Sequence, residues 1–151
     1  MKPELQLLFE AHGKLEPAIV MGHTPEGLKR IVPIIGGTFE GPKIRGTLVP
    51  GGADWQYVRA DNVTVVEAHY LLRTDDGVLL EVHNRGLRHG PDEVMRRLVA
   101  GEKVDPSEYY FRAAPSLTAP AGKYEWLNRR LFLCTGARYA TTITLWVYEV
   151  L

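Results

Sequence analysis

Cysteine is almost missing from this chain: Cys134 is the only one in 151 residues. A single thiol excludes an intrachain disulfide and a multi-cysteine zinc site, and it suits a reducing compartment, so the cytoplasm is the expected location. An excess of charge of one sign is missing as well, because 18 basic residues balance 18 acidic ones. Without a cationic surplus there is no general attraction to nucleic acid or to an anionic membrane, and neither is an expected partner. The same balance leaves nothing to hold copies of the chain apart, and with aromatic-rich strand ends such as WVYEVL it predicts a homodimer. No apolar run approaches the roughly 20 residues of a membrane helix. The opening MKPELQLLFEAHG is interrupted by Pro3, Glu4 and Glu10 and lacks the apolar centre of a signal peptide.

Familiar catalytic motifs are also absent. Five histidines occur (His12, His23, His69, His83 and His89), but no two stand at the His-x-x-x-His spacing of a helical zinc site. No metal and no cofactor are therefore expected. The glycine-rich IIGGTFEGPKIRG and VPGGADWQ do not match GxxxxGK[ST] and lead into no helix, which excludes a phosphate-binding loop. There is no GxSxG for a serine-hydrolase elbow. Aromatic residues are not interleaved with a basic stripe, so a single-strand nucleic-acid platform lacks its signature.

What is present is punctuation. Fifteen glycines and ten prolines separate short runs rich in β-branched and aromatic residues, the pattern of a single all-β domain over 1–151. The runs predict strands over Leu5–Ala11, Leu15–Val20, Lys29–Phe39, Lys43–Leu48, Trp55–Arg59, Val63–Arg73, Val78–Asn84, Tyr109–Ala114, Leu127–Ala137 and Thr142–Val150. TDDG between the sixth and seventh reads as a hairpin turn. One helix is expected over Pro91–Ala100. Pro91 suits its first turn, Asp92 and Glu93 complement the dipole, and Gly101 stands at the C-terminal cap. Strands without strand–helix alternation exclude a doubly wound fold. Two long central strands favour a closed antiparallel β-barrel of about eight to ten strands over a sandwich.

Side chains alternate across a strand, so parity sorts them to faces. Val63, Val65, Glu67, His69 and Leu71 share one face, and Thr64, Val66, Ala68, Tyr70 and Leu72 share the other. Leu79, Glu81 and His83 oppose Leu80, Val82 and Asn84. The mixed polarity predicts a lumen that holds a ligand; the alternative is that Glu67, His69, Glu81 and His83 face solvent. The local cluster Asp54–Trp55–Gln56, after a Gly-Gly turn, sets an acid, an indole and an amide where they could clamp a polar ligand at a barrel mouth. Cys134 reads as a buried, inert thiol.

GGTFEGPKIRGTLVPGGADWQ, the TDDG hairpin, YYFR, WLNR and a terminal VYEV follow one another in an order that resembles the domain-of-unknown-function family three-two-three-seven, also known as uncharacterised protein family zero-three-one-one. The resemblance spans nearly the whole chain. It implies a closed antiparallel barrel of this size and no particular activity. It would place functional positions at Asp54, Trp55, Gln56, Asn84, Tyr110, Arg112, Trp126 and Asn128. This chain departs from the family's frequent arginine by carrying His69 before Tyr70, which would make an anion clamp there weaker or pH-dependent.

The expected function is a barrel that binds, and transforms by metal-free acid–base chemistry of isomerase, lyase or hydrolase type, a small anionic or carbonyl-containing organic compound. Arg112 would orient the anion, and Asp54, Glu67 or His69 would move protons. The ligand would be bound by Trp55, Gln56, Asn84, Tyr110, Trp126 and Asn128. Arg112, Asp54 and Glu67 or His69 are expected to converge on one cavity flanked by Trp55 and Trp126. The alternatives are a non-catalytic, lipocalin-like carrier or sensor and a structural or dimerisation module.

Overall fold

The computed structural model describes residues 1–151. Ten strands form one antiparallel sheet: β1 (Leu5–Leu15), β2 (Ile19–Thr24), β3 (Gly27–Glu40), β4 (Arg45–Leu48), β5 (Gly52–Val58), β6 (Thr64–Thr74), β7 (Leu79–His89), β8 (Tyr110–Thr118), β9 (Phe132–Arg138) and β10 (Thr142–Val150). The sheet closes on itself because β1 pairs with β10 on one side and with β3 on the other. Round the ring the order is β1, β10, β9, β8, β7, β6, β4, β3. β5 continues the wall beside β4, between β3 and β6, and β2 flanks β3. The expected closed barrel is therefore the observed one. Closure removes the ladder edges that an open sheet would present.

β3 is the long strand that makes closure possible. Its first half pairs with β2 and β5, and its second half pairs with β1 and β4. The shift in its register with β1 falls next to Gly36 and Gly37, both with positive φ. A Cβ at Gly37 would stand 2.1 Å from the His12 carbonyl oxygen, so no other residue allows β1 to approach so closely.

The hairpin of β6 and β7 runs in register for ten residue pairs, from Thr64 opposite Arg88 to Arg73 opposite Leu79. Gly77 supplies the positive φ its turn needs, and the Val78 N–H donates to the Thr74 hydroxyl. The helix α1 spans Asp92–Val99, inside the expected segment, and Gly101 follows it with φ 79°. Two expected strands are corrected. Leu15–Val20 is broken at residues 16–18, where the chain passes from the end of β1 to the start of β2. Leu127–Ala137 is not continuous, because Glu125–Arg129 forms a 3₁₀ turn and β9 begins only at Phe132. Asn128 explains the break: its side chain accepts from the Ala119 N–H at 2.7 Å and donates to the Ala119 carbonyl at 2.9 Å, which pins the turn to the end of β8.

The interior differs along the barrel axis. At the end where β6 turns into β7, Phe9, Phe39, Leu72, Leu80 and Leu127 are almost wholly buried, and the Phe9 and Phe39 rings meet edge to face at 5.2 Å. These side chains form an apolar plug. Arg30, Asp54, Gln56, Arg88 and Arg138 line the cavity towards the opposite end, beside α1. No helix is long and apolar enough to cross a membrane.

Candidate functional site

Alternation carries the polar residues inward. On β5, Asp54 and Gln56 point into the lumen while Trp55 between them lies half exposed outside. On β7, Leu80, Val82, Asn84 and Arg88 share the inward face, and the apolar spacing of the plug gives way to an amide and then a guanidinium. Arg30 on β3 and Arg138 at the end of β9 complete the group. A small inner chamber of about 40 Å³ is lined by Asp54, Gln56, Asn84, Tyr70, Arg88 and Arg138 among apolar side chains. It continues, past Gln56, Arg88 and Arg138, into a vestibule of about 370 Å³. Met95, Leu98 and Val99 of α1 and the Tyr139–Thr141 turn form part of the vestibule wall.

A chain of hydrogen bonds orients the acid. Arg30 Nε donates to Gln56 Oε1 at 2.9 Å, and Gln56 Nε2 donates to Asp54 Oδ2 at 2.6 Å. Asp54 Oδ1 accepts the Glu67 backbone N–H at 2.9 Å. Burial raises the Asp54 pKa above the ordinary carboxylate value despite these bonds and the nearby charges of Arg88 and Arg138. Burial also lowers the pKa of Arg30 and Arg138, and it brings that of Arg88 down to about 10.

Arg88 is the anomaly. It is 5% exposed, and its Nε and Nη1 have no hydrogen-bond partner. Its guanidinium rests over the Phe111 ring, 5.3 Å from the centroid. Arg138 is better satisfied, since Nη1 donates to the Tyr139 and Thr142 carbonyls and so fastens the β9–β10 turn. Asn84 is a second buried residue with an unpartnered atom, its Oδ1. Three guanidinium groups thus face one carboxylate, and the most buried of them carries free donors. A buried unpaired charge is costly, so such an arrangement marks a place where an anion would be stabilising.

The structure brings together Asp54, Gln56 and Asn84 of the residues expected from the sequence. The expected convergence of Arg112 with Asp54 is corrected: Arg112 lies on the outer face of β8, donating to its neighbour's carbonyl and lying over Tyr110. Parity is the reason, because Phe111 and Ala113 take the inward positions. Glu67 and His69 are exposed outside β6, where Glu67 meets Arg85 at 3.2 Å and His69 meets Glu81 at 2.9 Å. Tyr110 stacks on His89 outside the wall. Trp126 packs beside the plug under Lys43, and Asn128 serves the turn already described. Neither Trp55 nor Trp126 flanks the chamber. Arg30, Arg88 and Arg138 were missed. Continuing the alternation of β7 past Asn84 would have found Arg88.

The fold and site define a class: a closed antiparallel barrel plugged at one end and open, with a cationic polar mouth, at the other. The chain belongs to the family described as Protein of unknown function (DUF3237), which matches residues 3–150. An uncharacterised UPF0311 protein of Rhodopseudomonas palustris is 37% identical over 148 residues, covering 98% of this chain and 97% of its own. The crystal structure of a protein of unknown function from that organism has a TM-score of 0.96 at 36% identity, with 100% of this chain and 99% of the other covered. A β-barrel-like protein of Acinetobacter baumannii gives 0.87 at 34% identity, covering 100% of this chain and 98% of its own. A hydroalkoxylation enzyme of Penicillium herquei is 33% identical over 75 residues, half of each chain.

Proposed function

We propose that the barrel mouth binds a small anionic or carbonyl-containing organic compound and moves a proton on it. Arg88 holds the anion or the enolate oxygen, and Asp54 exchanges the proton. The free donors of the buried Arg88 guanidinium carry this reading. An anion would satisfy them and would spread its charge over Arg30 and Arg138 as well. Asp54 lies in the same chamber, and its raised pKa brings it closer to the range in which a carboxyl both gives and takes protons. The vestibule has the size of a small-ligand site and the chamber has room for only a few atoms. A ligand would therefore sit beside α1 with its reacting end at Asp54. The relative that performs hydroalkoxylation, addition of O–H across a double bond, uses chemistry of this kind: one proton leaves an oxygen and another reaches carbon.

The test is a thermal-shift panel of small carboxylates, phenols and β-dicarbonyl compounds, followed by proton exchange of each hit in D2O, read by NMR. Arg88→Met is expected to lose the shift. Asp54→Asn is expected to keep the shift and lose the exchange. Equal shifts in Arg88→Met, or full exchange in Asp54→Asn, would overturn the reading. A hit that binds without exchange or turnover would favour a carrier.

A further inference from the structure

We propose a second site on the outer wall: His69, His83 and Glu81 form a binding site for a first-row divalent transition-metal ion such as Zn²⁺, Ni²⁺ or Cu²⁺. His69 and His83 are directly opposite each other in the β6–β7 ladder, and Glu81 lies two residues from His83 on the same face. Their imidazole rings stack at 3.8 Å with an 18° interplanar angle. Glu81 Oε2 is 2.9 Å from His69 Nε2 and 3.7 Å from His83 Nε2. The ligand atoms of all three residues lie within 4.8 Å of one another.

Those spacings are what a metal requires. Ligands about 2.0–2.1 Å from a tetrahedral ion stand about 3.4 Å apart, and the two measured nitrogen–oxygen distances bracket that value. Two imidazoles and one carboxylate are borderline donors suited to zinc, copper and nickel; calcium and magnesium call for oxygen. The contact between His69 Nε2 and Glu81 Oε2 already holds the carboxylate beside the imidazole. The ladder supplies rigidity, because ten consecutive residue pairs fix the backbone beneath the three side chains. All three side chains are partly exposed, which leaves the remaining coordination positions open to water or to a donor from another molecule. The expectation of no metal rests on the scattered histidines and the single cysteine in the sequence. Cross-strand register brings together two histidines fourteen positions apart.

Trp55 supplies a reporter. Ala53 pairs with His69, so Trp55 stands two residues further along the neighbouring strand, on the same outer face. It lines a shallow depression with His69 and His83.

The experiment uses the full chain without any affinity tag, titrated with CuCl2, NiCl2 and ZnCl2 in calorimetry and tryptophan fluorescence. One ion per chain is expected, with copper tightest by the usual order of stability. Cu²⁺ is expected to quench Trp55, and the Trp55→Phe variant to lose that quenching. His69→Ala and His83→Ala are each expected to weaken binding at least tenfold, and Glu81→Gln several-fold. Their circular dichroism and melting should match the parent, since the side chains are exposed. Excess MgCl2 or CaCl2 should not displace the ion. Absence of binding at hundred-micromolar metal, displacement by MgCl2 or CaCl2, or binding unchanged in the His69→Ala/His83→Ala double variant, would overturn the proposal.

Discussion

The two ends of the barrel are built from the same strands by opposite means. At one end β3, β6 and β7 contribute Phe39, Leu72 and Leu80, which pack with Phe9 and Leu127 in an apolar plug, and the buried polar groups at its rim are partnered, Thr74 with Asp76 and Glu149 with Arg130. At the other end the same three strands contribute Arg30, Thr64 and Arg88, and β5 and β9 add Asp54, Gln56 and Arg138. One end releases water and gains dispersion contacts. The other takes a guanidinium out of water and leaves donors unpaired. The contrast teaches that the plug supplies stability and that the mouth spends some of it on a site.

The largest expected effect sharpens this division at the plug. Phe39→Ala should cost about 3–5 kcal/mol in urea unfolding, because the ring is buried and its neighbours collapse only partly into the space. Anion binding by the folded fraction should be unchanged. A loss below about 1 kcal/mol would break the comparison. Arg88→Met is the counterpart at the mouth. It should leave stability unchanged or raise it by about 1–3 kcal/mol, since it removes buried donors that lack partners. Asn128→Ala should cost about 1–2 kcal/mol through the two lost bonds to Ala119, without affecting anything bound at the mouth.

The smallest effects are in the pH dependence, and they have opposite signs at the two ends. Asp76, at the hairpin turn beside the plug, accepts from the Thr74 hydroxyl and the Tyr124 phenol, and its pKa is held down at about 2. A depressed carboxyl contributes stability above its unfolded pKa of about 3.8 and loses it as the pH falls towards 2. Asp76→Asn should therefore be less stable than the parent near pH 6, with the difference closing in acid. Asp54 is raised instead, so its contribution is complete below the unfolded value and declines as the pH rises through the folded one. The balance between Asp54→Asn and the parent should shift towards the variant between acid and neutral pH. Parallel pH profiles for the two variants would contradict the assignment.

Much of the fold was legible because closure and hairpins rest on local signals. TDDG marked the β6–β7 turn, Gly101 marked the end of α1, and the β-branched runs marked most strands. The break before β9 was not legible, since WLNRRLFLC has the composition of a strand and its 3₁₀ turn depends on a bond from Asn128 to the distant Ala119. The site was half legible for a related reason. Asp54 and Gln56 follow a glycine turn and announce themselves, whereas Arg88 and Arg138 stand at strand ends, where alternation must be carried four residues and one residue beyond the apparent boundary. Arg112, central in its short strand and next to aromatics, looked like the better cation, but which face of that strand meets the lumen is set by its pairing with β7. The same dependence on register sets His69 directly opposite His83.

The most direct measurement compares urea unfolding of the parent and of Arg88→Met, each with and without a saturating small carboxylate found in the thermal-shift panel. The account predicts that without the carboxylate the variant is at least as stable as the parent. With it, only the parent gains stability, as linkage requires for a ligand that binds the native state alone. Destabilisation of Arg88→Met by about 3–5 kcal/mol, with equal stabilisation of both proteins by the carboxylate, would show that Arg88 is a structural ion and would contradict the account.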